Sequence, residues 1–309
     1  MEQEIQYCTS SDGTRIAFSV VGGGSGVPLM YYPAPPYFSL TEPWRDLLLT
    51  EDELSQLWRT RPVCFLNPRG CGLSDRDATD FDIERFTDDL EAVVAGTGWT
   101  DFALSGHGMT GPVAILYATR HPEFVSRLIL RDTYLRAADM GKIPRMRALG
   151  AVLRADYESY LDLMALINLG WGDPEVMKDF VDHLSKASSH EAVMALANAT
   201  ASYNVMGLAE EIRVPTLVLN PSFMPVPSSD MARAMVAMIS DARLVLYARE
   251  ELGMVIQRFA AFLDEGDDAR GEPDQPSGTA IILFADIANS TGLTEELGDA
   301  AFREKARSL

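Results

Sequence analysis

Histidine and cysteine are scarce in this chain, and nowhere is it apolar for long. The 309 residues include 4 histidines, the last of them His190, so no imidazole is supplied from anywhere beyond that point. The three cysteines, Cys8, Cys64 and Cys71, form no C-x-x-C pair. That count and spacing argue against a disulfide framework and fit a reducing compartment. No apolar run approaches the roughly 20 residues that a membrane helix needs. The start, Met1-Glu2-Gln3-Glu4, lacks the basic and apolar regions of a secretory leader. Basic residues are outnumbered, 26 Lys and Arg against 45 Asp and Glu, for a net charge of -19. Such a surface opposes binding to phosphate backbones and to anionic membranes. A cytoplasmic protein with neither nucleic acid nor membrane as partner is expected.

What the chain does contain is ample core material, 47% hydrophobic residues, in an alternation of strand-like and helix-like segments. Residues 5 to 8 and 14 to 21 read as a hairpin turned by Ser11-Asp12-Gly13. The run Gly22-Gly23-Gly24-Ser25-Gly26 precedes the strand Val27 to Tyr32, whereas a dinucleotide fingerprint must follow one, so it reads as a flexible turn. Leu54 to Arg61 reads as a helix, Pro62 to Asn67 as a buried strand, and Phe81 to Ala95 as an amphipathic helix with Phe86, Leu90, Val93 and Val94 at helical spacing. The βα alternation predicts a mostly parallel sheet with helices on both faces. From about residue 136 to 211 the strand pattern gives way to helices rich in methionine and aromatic residues. Their ordinary reading is helix core, with an apolar ligand pocket as the alternative.

One stretch organises the rest: Ser105-Gly106-His107-Gly108-Met109-Thr110-Gly111, between the strand Asp101 to Leu104 and a helix over about Pro112 to His121. Upstream lies FLNPRGCGLSDR (Phe65 to Arg76) and downstream ILYATRHPEFVSRLIL (Ile115 to Leu130). Together these resemble the α/β-hydrolases over residues 1 to 264, with a helical cap at about 136 to 211. Asn67 and Pro68 stand where an acidic residue is often seen. The resemblance implies a strained strand-to-helix elbow that presents a serine at the sheet's carboxyl edge. Here the elbow residues are Gly106, His107, Gly108, Met109 and Thr110, and Gly108 occupies the nucleophile position. The family's triad acid would follow the strand Ile212 to Leu219, where Phe223 or Met224 stands, with Asp230 better placed as a helix N-cap. Its triad histidine would follow Arg243 to Tyr247, where Ala248-Arg249-Glu250 stands. The oxyanion loop matches Pro33-Ala34-Pro35, and Pro35 at the donor position has no N–H. A catalytically dead hydrolase domain is therefore expected, with a ligand pocket formed by Pro33, Ala34, Pro35, Gly108, Met109, Phe223 and Met224 that takes a small apolar molecule. The alternatives are an active hydrolase or esterase with a non-standard nucleophile, for which Ser105 is the available hydroxyl, and a purely structural interaction module.

Residues 265 to 278 are acidic and rich in Gly and Pro, as in a linker. Beyond them, Phe284-Ala285-Asp286-Ile287-Ala288-Asn289-Ser290-Thr291 and Leu297-Gly298-Asp299 resemble the opening of class III adenylate/guanylate cyclase domains, over 279 to 309. That resemblance implies metal binding by Asp286 and by the carbonyl of Ile287, with Mg or Mn in a complete cyclase and no cofactor for this fragment. It also implies homodimerisation of the full-length protein and a regulatory role for the preceding domain.

Overall fold

Alternate residues of the central strands carry apolar side chains on both faces, and this dictates a sheet covered on both sides. In β3 (Leu29–Tyr32), Leu29 and Tyr31 point to one core while Met30 and Tyr32 point to the other. The computed structural model describes residues 3–40, 51–171, 173–223 and 226–268. The chain divides into a unit over Met1–Arg270 and a second over Gly271–Leu309; the second, with the expected metal ligands Asp286 and Ile287, lies outside the described residues.

The first unit holds an eight-stranded sheet in the order β1-β2-β4-β3-β5-β6-β7-β8. β1 (Gln6–Thr9) and β2 (Arg15–Gly22) form the expected hairpin, and β2 runs antiparallel to β4 (Pro62–Leu66). From β4 onward, through β3, β5 (Phe102–His107), β6 (Val125–Arg131), β7 (Thr216–Pro221) and β8 (Ala242–Tyr247), all pairings are parallel. One face is covered by α2 (Ile83–Thr97), α3 (Thr110–Arg120) and α10 (Ser229–Met238). The other is covered by α1 (Glu51–Trp58) and α11 (Leu252–Asp268). Phe259, Phe262 and Leu263 of α11 are buried against Tyr31, Phe65 and Leu219, each such side chain being worth about 1.5–3 kcal/mol on removal from water.

Local chemistry explains several boundaries. Asp82 caps α2, its carboxylate accepting from Glu84 N–H at 3.0 Å, and Gly98 ends it at φ 68° with its N–H on Val94 O. β5 runs past Leu104 through Ser105 and Gly106 to His107, because β6 pairs with it up to Arg131. β7 starts at Thr216, after Pro215, and not at Ile212. The N-cap of α10 is Ser228, whose hydroxyl accepts from Met231 N–H; Asp230 lies within the first turn. α11 continues past residue 264 to Asp268.

Between β6 and β7 the chain is helical: α4 (Ala137–Gly141), α5 (Pro144–Ala155), α6 (Tyr157–Leu169), α7 (Pro174–Ala187), α8 (His190–Thr200) and α9 (Met206–Ala209). Leu161 and Met164 of α6 pack on Leu184 of α7 in a core of their own, while Trp171, between these helices, is 91% exposed. Among the described residues no helix is long and apolar enough to cross a membrane.

Candidate functional site

The turn after β5 is built around two glycines and a threonine. A Cβ on Gly106 would lie 2.8 Å from both Ala114 Cβ and Thr110 O, so only glycine lets α3 start this close to the strand. Gly108 takes φ 58°, the left-handed conformation of an elbow, which glycine adopts without penalty. Thr110, standing where the second glycine of the elbow was expected, fastens the turn. Its hydroxyl accepts from His107 N–H at 2.9 Å and lies 2.9 Å from the carbonyls of both Tyr32 and His107. Thr133 Oγ1 donates to Gly108 O at 2.5 Å. The shape of the elbow is thus complete, while the position that carries the nucleophile in the family has no side chain.

Around this turn the sheet's carboxyl edge gathers a polar cluster that the sequence did not announce. His107 is buried, with Nδ1 2.8 Å from Arg131 Nη2. Guanidinium can only donate, so Nδ1 is the acceptor and the ring hydrogen sits on Nε2. That nitrogen lies 3.4 Å from Asp132 Oδ2, at the outer edge of hydrogen-bond range. Asp132 follows the last residue of β6 at φ 50°, its backbone N–H donating to Leu219 O, and its Oδ1 accepts from Tyr247 OH at 3.0 Å. The Asp132 side chain is 14% exposed and that of His107 6%. Four residues from the ends of β5, β6 and β8 therefore form one polar cluster, and His107 among them directly precedes Gly108.

The expected pocket residues divide. Ala34 faces the elbow, its Cβ 3.3 Å from where a side chain on Gly108 would begin. Pro33 and Pro35 are buried in the same loop, and Met109 is half-buried at the start of α3. The loop residue turned toward Gly108 is thus Ala34, which keeps its N–H, and the matched Pro35 is its neighbour. Phe223 packs edge-on to Tyr247, with ring centroids 6.3 Å apart and Arg249 4.4 Å above it. Met224 lies outside the described residues. Ser105, the hydroxyl considered for a displaced nucleophile, is 3% exposed within β5, paired with Tyr31 on one side and Ile129 on the other. No carboxylate follows β7 as far as Phe223, and Ala248 and Arg249 follow β8. The described residues contain no group of three or more His, Cys, Asp or Glu side chains arranged to hold a metal.

Asp132 and Tyr247 are the residues that sequence reasoning missed. The signal for Asp132 was present, a carboxylate directly after the apolar strand Leu128-Ile129-Leu130, but the acid was sought only after β7. Nothing in the sequence marked Tyr247 as more than the end of a strand.

The fold's relatives agree on its class. A family model described as alpha/beta hydrolase fold matches residues 43–186. The chain is 27% identical over 198 residues to the AB hydrolase superfamily protein YisY of Bacillus subtilis (strain 168), covering 60% of this chain and 72% of that protein. Among solved structures it is similar to the esterase EaEST of Exiguobacterium antarcticum, with a TM-score of 0.68 at 20% identity over 86% of this chain and 99% of that one. It is equally similar to a thermophilic esterase of Thermogutta terrifontis, with a TM-score of 0.68 at 21% identity over 86% and 99%. The protein has the alpha/beta-hydrolase fold. These relatives correct the expected function: they are hydrolases and esterases and none of them is a cyclase. The reading as a cyclase's regulatory region with a dead hydrolase domain finds no support among them.

Proposed function

We propose that the protein is a hydrolase of small, mainly apolar carboxylic esters that uses water as its nucleophile in place of an elbow serine. The observation that carries this reading is the Asp132 carboxylate, held by Tyr247 and by His107, the residue that precedes the side-chain-free Gly108. A carboxylate offers about four acceptor directions, so a water over Gly108 can share it with these two partners. In the proposed reaction the water oxygen attacks the ester carbonyl carbon and its proton passes to Asp132. The resulting oxyanion accepts from the N–H of Met109, at the start of α3, and of Ala34. The acyl carbon–oxygen bond then breaks, and Asp132 returns the proton to the departing alkoxide, giving one acid and one alcohol. His107 and Tyr247 steady the carboxylate in both steps. Met109 and Phe223 supply apolar contact for the acyl or alcohol part.

p-Nitrophenyl acetate and butyrate test this. Release of p-nitrophenol above the buffer rate, linear from the first turnover and with no acyl adduct on the protein by mass spectrometry, supports water attack. A burst with a trapped acyl group would move the nucleophile to a side chain. No release from any ester of the series would remove the hydrolase reading.

A further inference from the structure

The loop that carries Ala34 stands on two footings of different kinds. Its far end is fixed to the sheet by Asn67, fully buried after β4, whose Nδ2 donates to Phe38 O at 3.2 Å and whose Oδ1 accepts from Leu40 N–H at 3.2 Å. A carboxylate could not make the first of these bonds, which accounts for an amide where an acid was expected. Nearer the elbow the loop closes on itself, Tyr37 N–H donating to Ala34 O at 3.0 Å. From there the Tyr37 side chain leaves the sheet and enters the cap. It packs against Leu161, Met164 and Leu184, with its hydroxyl 3.8 Å from Met164 Sδ. The buried His183 of α7 donates from Nε2 to Tyr37 O at 3.2 Å. One footing therefore belongs to the sheet and the other to α6 and α7.

We propose that Tyr37 is a positioning residue: it hands the place of the cap helices to the Ala34 N–H, so that the cap seated on the sheet is what aims this donor at Gly108. The inference rests on the hydrolase reading above. Its physical basis is the short closed turn between the two residues, which leaves Ala34 little freedom once Tyr37 is lodged and considerable freedom once it is not.

Hydrogen exchange and ester kinetics on the full chain test it together. Tyr37→Ala is expected to raise exchange in the 34–40 segment about tenfold while β5 and β6 stay as in the wild type. It is expected to lower kcat about 10²-fold, the effect of losing one oxyanion donor, with little change in KM. Tyr37→Phe, which keeps the ring in the cap, is expected to behave as the wild type in both measurements. His183→Ala is expected to move both in the same direction as Tyr37→Ala and by less, and it decides the matter alone if Tyr37→Ala does not fold. Unchanged exchange in the loop, or raised exchange with unchanged kcat, would overturn the role of Tyr37. Absence of wild-type turnover would instead overturn the hydrolase reading and this role with it, so the two failures are told apart by the wild-type assay.

Discussion

Two buried polar clusters, built from similar residues, serve this molecule in different ways. In the first, Arg69 grips Asp89 with bonds of 2.7 Å from Nε and 2.6 Å from Nη2, Asp12 at 2.8 Å, and the carbonyls of Asp80 and Arg85. Arg69 is 1% exposed and Asp89 0%. Every guanidinium direction is committed, and the partners belong to α2, the β1–β2 turn and the segment leading into α2, so the cluster fastens the loop after β4 to its surroundings. In the second, Asp132 stands at a left-handed backbone position after β6, with His107 Nε2 3.4 Å from its Oδ2 and the Tyr247 hydroxyl on its Oδ1. A guanidinium whose donors are all committed holds structure together, whereas a carboxylate with acceptor directions to spare is what the proposed reaction needs.

Substitutions can break this contrast, and the largest effect belongs to the closed cluster. Asp89→Ala leaves a buried guanidinium with only its weaker partners and should cost about 3–5 kcal/mol, read as a drop in the denaturation midpoint; a loss below 1 kcal/mol would show that the loop is held otherwise. Asp132→Asn should do the reverse. It should leave the midpoint nearly unchanged while lowering kcat for p-nitrophenyl butyrate about 10²- to 10⁴-fold, the usual contribution of a general base. Gly108→Ser sharpens the point further. A side chain at this positive φ costs about 1–2 kcal/mol and crowds Ala34, and it fills the place proposed for the attacking water, while both ring nitrogens of His107 are engaged. Hydrolysis should therefore fall in this variant, and a burst of product would contradict the assignment.

Acid should separate the clusters more gently. The Arg69 hydrogen bond holds the Asp12 carboxyl well below the usual carboxylate range. A depressed folded pKa gives stability that is complete above the unfolded value of about 3.9 and is lost as pH falls through the folded one. The difference in melting temperature between wild type and Asp12→Asn should thus be constant near neutrality and shrink below about pH 4. The smallest effect is expected from the exposed Arg120–Glu84 pair, at 2.6 and 2.8 Å. Arg120→Ala should cost less than about 1 kcal/mol, and less again in salt.

Much of this architecture was legible because it is local. The hairpin turn at Asp12-Gly13, the period of Phe86, Leu90, Val93 and Val94, and the glycines of the elbow each act within a few residues, so the βα alternation and the absence of a hydroxyl at Gly108 could be read directly. The site was legible only in part. Ala34, Gly108, Met109 and Phe223 were named as neighbours of the elbow, and the first does meet Gly108. The donor position was matched to Pro35, and the loop side chain that meets Gly108 is that of its neighbour Ala34, because a loop match gives no direction to a side chain. Function was misjudged for a related reason: a search confined to the positions after β7 and β8 could not find an acid that stands after β6.

The succession of strands and helices along the chain, the burial of both sheet faces and the side-chain-free elbow are therefore properties of the sequence, since periodicity and residue type suffice to impose them. The meeting of His107, Arg131, Asp132 and Tyr247, and the reach of Tyr37 into the cap, were decided by tertiary structure alone. Parallel pairing brings strand ends far apart in the chain to one edge, and contacts across such separations leave no periodic trace in the residues that make them.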